Sequence, residues 1–87
     1  MNYTEIEKVV CSILAETFHI SDELLIPENF VIPLTGKLFQ FDDISLAYLF
    51  LELERAFNIH IPGEAIINYE FNTIQGITNL VHKINGH

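Results

Sequence analysis

Three side chains at the head of one apolar run have types and spacing that could carry chemistry. They are Asp42, Asp43 and Ser45, in the stretch DDISLAYLFLELERAFNIHIP from Asp42 to Pro62. Carboxylates at a helix start accept from free backbone N–H groups and suit the positive end of the helix dipole. That role alone accounts for both aspartates. A serine in the first helical turn either bonds to nearby backbone or offers its hydroxyl for modification. Elsewhere the candidates thin out. Cys11 is the single cysteine, and with no neighbouring cation to lower its pKa it reads as a small packed residue rather than a reactive thiol. His19, His60, His82 and His87 have no i, i+4 pairing with one another or with Cys11, so no metal set is expected. No Ser-His-Asp order, Gly-rich phosphate loop or paired-acid site can be singled out. Nothing assembles a nucleophile with a base, so an enzyme is not expected.

The element that must position Asp42, Asp43 and Ser45 is a helix over 42–57, stopped before Pro62. At about 100° per residue, Leu46, Leu49, Phe50, Leu53 and Phe57 fall within about 100° of arc and form a core-facing stripe. Opposite them lie Ile44, Tyr48, Leu51 and Arg55, with Ala47 at the margin. A helix with one buried face is polar on its back, and this one is not. Its second apolar stripe is either covered by the Pro27–Phe41 loop or a third helix, or offered to a partner.

The remaining elements follow from period and punctuation. Thr4-Glu5-Ile6-Glu7 has the form of a capping box with Thr4 as N-cap. Ile6, Val9, Val10, Ile13, Leu14 and Phe18 then give an amphipathic helix over 4–18. From His19 to Phe41 the pattern breaks at Ser21-Asp22, Pro27, Pro33 and Thr35-Gly36, among scattered apolar anchors such as Leu34, Phe39 and Phe41. A connection this long and this apolar must lie down on the core. Gly63 to Asn68 allows a short helix, and Asn72 or Thr73 caps a last one over 73–85, with Ile74, Ile77, Leu80, Val81 and Ile84 as its stripe. Residues 1–87 form a single up-and-down helical domain on this reading.

The run from Asp42 to Pro62 resembles the second helix of acyl carrier proteins, whose pattern is Asp-Ser-Leu, an apolar helix with a Leu-Glu pair, then Phe-x-Ile-x-Ile-Pro. Leu53-Glu54, Phe57, Ile59, Ile61 and Pro62 match that ending without a gap. Counting back places Asp-Ser-Leu on Asp42-Asp43-Ile44, so Asp43 stands where the family's serine would receive the phosphopantetheine arm. The resemblance implies an all-α fold, a four-helix acyl-carrier-like bundle with a long first loop and a short third helix. It also implies a docking face: Ile44, Ala47, Leu51 and Glu54 match the positions that meet enzymes, while Tyr48 and Arg55 stand where acids are usual. Asp43 keeps a negative charge where a carrier has its phosphodiester. A narrower similarity, carried by Pro33-Leu34-Thr35-Gly36, Tyr48-Leu49-Phe50, Phe57-Asn58-Ile59 and Phe71-Asn72-Thr73-Ile74, points to the acyl-carrier-related proteins of bacterial peptide maturation systems.

The expected function is therefore a carrier-like binding module, docking a biosynthetic or peptide-modifying enzyme through its second helix, with no cofactor. The alternative is a working acyl or peptidyl carrier with 4'-phosphopantetheine on Ser45. Two helical positions are about 200° apart, so that arm would leave from another side of the helix.

Composition bounds the partners. Twelve acidic and four basic residues give a net charge of −8, which excludes nucleic acid as a ready partner and favours a basic, apolar docking surface. A lone cysteine forms no internal disulfide and suits a reducing compartment. The start MNYTEIEK lacks a basic, apolar signal segment, and no apolar run reaches the ~18 residues of a membrane span. A cytoplasmic monomer is expected, without membrane association.

Overall fold

The computed structural model describes residues 2–64 and 72–85, which contain three α-helices, two single-turn 3-10 segments and no strand. Helix α1 spans Tyr3–Thr17, α2 spans Asp43–Phe57 and α3 spans Ile74–Asn85. The expected short helix over 63–68 lies outside the described residues beyond Gly63 and Glu64, which are helical. No helix of the described residues is long and apolar enough to cross a membrane.

Helix α1 starts earlier than the Thr4 box implied. Asn2 is the N-cap: its side chain accepts from the Glu5 N–H at 2.9 Å, and the Glu5 carboxylate accepts from the Asn2 N–H at 3.1 Å. Two boxes overlap in the sequence, Asn2-x-x-Glu5 and Thr4-x-x-Glu7, and both have suitable residues. The earlier one is accompanied by a contact that no local pattern reveals. The Tyr3 ring stacks on His82 of α3, with centroids 4.1 Å apart and planes at 14°.

The first helix contributes Ile6, Val10, Ile13 and Leu14 to the core, with Val9 and Phe18 half-buried. It packs on both α2 and α3, more extensively on α3. From α3 come Ile74, Ile77, Leu80 and Val81, together with Thr78, whose hydroxyl donates back to the Ile74 carbonyl at 2.8 Å. That bond lets a polar residue sit in an apolar layer without an unmet hydrogen bond. Of the two candidate caps, Thr73 takes the role, its hydroxyl oxygen accepting from the Gly76 N–H at 2.8 Å. Helix α2 places Leu49, Leu53 and Phe57 in the core and leaves Leu46 and Phe50 half-buried.

The 18–42 connection behaves as core. After the turns at Asp22–Leu24 and Pro27–Asn29, Leu34 is fully buried and Phe39 and Phe41 nearly so. Phe41 also packs obliquely on Phe18, centroids 5.0 Å apart. Two backbone bonds fasten this segment to the start of α3: the Leu34 N–H donates to the Asn72 carbonyl at 2.7 Å, and the Gln75 N–H donates to the Phe30 carbonyl at 2.9 Å. A third, from the Phe41 N–H to the Leu34 carbonyl at 2.9 Å, closes the segment on itself. These bonds occupy backbone groups that burial would otherwise strand, the condition for a connection to leave the surface. The radius of gyration of 11.8 Å is close to the ~12 Å of a packed chain of this length.

Candidate functional site

Asp42 and Asp43 occupy different places. Asp42 is the N-cap of α2, in extended conformation, and its Oδ1 accepts from the Ser45 N–H at 2.8 Å. That backbone bond, with a second from the Ser45 hydroxyl, holds the Asp42 carboxyl below the usual carboxylate range. A depressed folded-state pKa stabilises the fold above the unfolded value, and the contribution fades as pH falls through the lowered one. Asp43 is the first helical residue and is exposed. Ser45 lies two residues inside, half-buried, with its backbone N–H held by Asp42.

The outward stripe of α2 is open. Ile44 is 68% exposed, Tyr48 60% and Leu51 53%, and Ala47 between them is exposed as well. The Pro27–Phe41 loop leaves this face uncovered and sends Leu34, Phe39 and Phe41 into the core. Asp43, Ile44, Ala47, Tyr48 and Leu51 together line a shallow concavity of about 390 Å³. Exposed apolar clusters of this kind mark contact surfaces more often than chance exposure does.

Glu54, which the resemblance puts on the docking rim, has a structural partner as well. Its Oε2 accepts from the Ile61 N–H at 2.9 Å and lies 3.3 Å from His60 Nδ1, leaving the side chain 21% exposed. The carboxylate therefore fastens the segment after α2 to the helix, so that Ile61 is buried. The turn between them requires a left-handed residue. Asn58 supplies it at φ 52° and ψ 51°, its own N–H and that of Ile59 both donating to the Glu54 carbonyl. Asparagine tolerates that conformation better than most side chains. Sequence reasoning placed the end of the helix at Phe57 but missed this clasp, because it did not read Asn58 as a left-handed cap that turns the chain back. Once the Asn58 cap is recognised, Glu54 and Ile61 face each other across it. Glu54→Ala leaves a part-buried N–H without its acceptor and should cost about 1–3 kcal/mol. Glu52→Ala on the same helix should cost far less. Urea denaturation of the two variants checks this, and equal midpoints would remove Glu54 from the structural role.

Arg55 remains on the outward side, its side chain 79% exposed, with a contact of 3.4 Å to Glu52. An exposed i, i+3 pair of this kind contributes little, and the guanidinium faces solvent.

The other candidates stay apart. Cys11 is half-buried on α1, and burial pushes its thiol pKa up, with the Glu7 and Asp22 carboxylates adding to the shift. A raised pKa leaves little nucleophilic thiolate at neutral pH. His19 is exposed in a left-handed turn, and His60 and His82 make the separate contacts described above. His87 lies outside the described residues. Among those described, no group of three His, Cys, Asp or Glu side chains could hold a metal ion.

No family model, curated protein or solved structure matches the chain.

Proposed function

We propose that this chain is an acyl-carrier-like binding module that docks a partner enzyme through the outward face of α2 without a phosphopantetheine arm. The observation that carries this reading is the placement of Asp43. It is the first residue of α2 and exposed at the rim of an apolar concavity, the position that the resemblance gives to the attachment serine. A carboxylate attacking the pyrophosphate of coenzyme A would form a mixed anhydride, which water cleaves, so Asp43 cannot retain an arm. It does keep a negative charge at the helix N-terminus, where a carrier has its phosphodiester. Ile44, Ala47, Tyr48 and Leu51 supply apolar contact area beside it. The chain's charge of −8 draws in a basic surface. On this reading the bundle is the four-helix carrier type, and the partner is a biosynthetic or peptide-modifying enzyme.

Ser45 is poorly placed for the alternative. It is half-buried and its backbone N–H is held by the N-cap carboxylate at 2.8 Å, so an arm there would crowd the cap that starts the helix. Incubation with coenzyme A and a broad-specificity phosphopantetheinyl transferase, followed by intact-mass measurement, tests the proposal. The expected spectrum shows the unmodified chain alone. A gain equal to the arm's mass, absent from Ser45→Ala, would establish the carrier instead.

A further inference from the structure

The outward face of α2 carries opposite charges at its two ends. Ile44, Tyr48, Leu51 and Arg55 are spaced four, three and four residues apart, which on a helix confines them to one narrow stripe. Asp43 flanks the stripe at the N-terminal end, on the rim of the concavity. Arg55 closes it at the other end, about 18 Å away along the axis at ~1.5 Å per residue. Its contact with Glu52, at 3.4 Å and mostly in solvent, engages a single nitrogen of the guanidinium. Arginine presents five donors in a planar fork matched to a carboxylate. Arg55 is also one of only four basic residues among twelve acids, so a positive site on this face discriminates where the rest of the surface attracts one kind of partner.

We infer that the docking face selects a helical segment with an apolar stripe, a cation at the end that meets Asp43 and an anion at the end that meets Arg55. This rests on the docking reading above and adds the partner's charge order to it. A uniformly basic segment satisfies Asp43 but sets a like charge against Arg55. A uniformly acidic one does the reverse and is repelled by the net charge as well. Only a segment of mixed ends satisfies both, and it fixes the direction in which the partner lies along α2. Apolar contact supplies most of the affinity, and the end charges supply register and choice.

The probes are three synthetic helical peptides sharing one leucine stripe, with end charges Lys/Glu, Lys/Lys or Glu/Glu about 18 Å apart. Each is titrated into the ¹⁵N-labelled full chain at low salt, with Kd read from amide shifts. The mixed peptide should bind about 3–10-fold more tightly than Lys/Lys, the range expected when an exposed like-charge contact becomes an attractive one. In Arg55→Glu the Lys/Lys peptide should become the tightest binder, and in Arg55→Gln the mixed and Lys/Lys peptides should converge. Thermal melts confirm that both variants fold. An unchanged ranking in the two variants, with shifts still centred on Ile44, Tyr48 and Leu51, overturns this inference and leaves the docking reading standing. That result would reduce Arg55 to a residue placed for the helix dipole. If none of the peptides perturbs the face, both readings fall together. If sedimentation shows that the free chain pairs with itself through an interface that Arg55→Glu abolishes, the occupant is a second copy and the inference is overturned.

Discussion

Replacing Asp43 by serine should give a chain that takes up the phosphopantetheine arm quantitatively from a phosphopantetheinyl transferase, against a wild type expected to stay unmodified. The substitution creates the carrier order of aspartate, serine and an aliphatic residue over positions 42–44, in the register that the resemblance of the Phe57 to Pro62 ending implies. It places a hydroxyl on the first, exposed residue of α2. The phosphodiester formed there would sit among the free N–H groups of the first turn, where the helix dipole stabilises an anion. The Asp42 cap, with its 2.8 Å bond from the Ser45 N–H, is untouched, so the helix should start where it does now. Intact-mass spectra of wild type, Asp43→Ser and the double variant Asp43→Ser with Ser45→Ala decide the matter. A mass gain in Asp43→Ser that persists in the double variant identifies position 43 as the site. An Asp43→Ser chain that folds and still gains no mass would show that this face is not read by the transferase, and the carrier resemblance would lose its functional content.

The second large effect concerns stability. Leu34→Ala should cost about 2–5 kcal/mol, the range for truncating a buried leucine with incomplete collapse of the cavity. For a chain of this size the whole stability is on the order of 4–13 kcal/mol, so one loop side chain supports a large part of it. Leu34 is fully buried although it belongs to no α-helix, and its backbone bonds to Asn72 and Phe41 keep it there. Val31→Ala, three residues earlier and 63% exposed, should change stability by no more than about 0.5 kcal/mol. Urea midpoints of the pair measure the contrast. Equal midpoints would mean that the connection only drapes over the core instead of completing it.

The comparison between Leu34 and Val31 also shows what a sequence can and cannot reveal. Helix α2 was legible because independent signals agree on it: the Asp42 cap, the stripe of Leu49, Leu53 and Phe57, and a stop ahead of Pro62. The open face was visible as an excess of apolar residues, though only the structure decides between cover and exposure. Within the 19–41 connection there is no period to rank the anchors. Leu34, Phe39 and Phe41 are buried while Ile26, Val31 and Leu38 are exposed, and the choice is made with the help of pairing to Asn72 and Gln75, far along the chain. The N-terminus of α1 fails for the same reason. Its two capping boxes are locally equivalent, and the Tyr3–His82 stack that accompanies the chosen one joins opposite ends of the chain. The carrier resemblance puts Glu54 on the docking rim, and no local pattern reveals that it also accepts from the Ile61 N–H.

Helix α2 is built from two sets with no shared residue: Leu49, Leu53 and Phe57 answer to the interior, while Ile44, Ala47, Tyr48, Leu51 and Arg55 answer to whatever lies outside. Mutational drift can therefore rewrite the outer set without endangering the bundle. Under the proposed docking role, partner choice could change while the bundle persists, and the outer five residues would be transplantable as a unit onto another scaffold of the same shape.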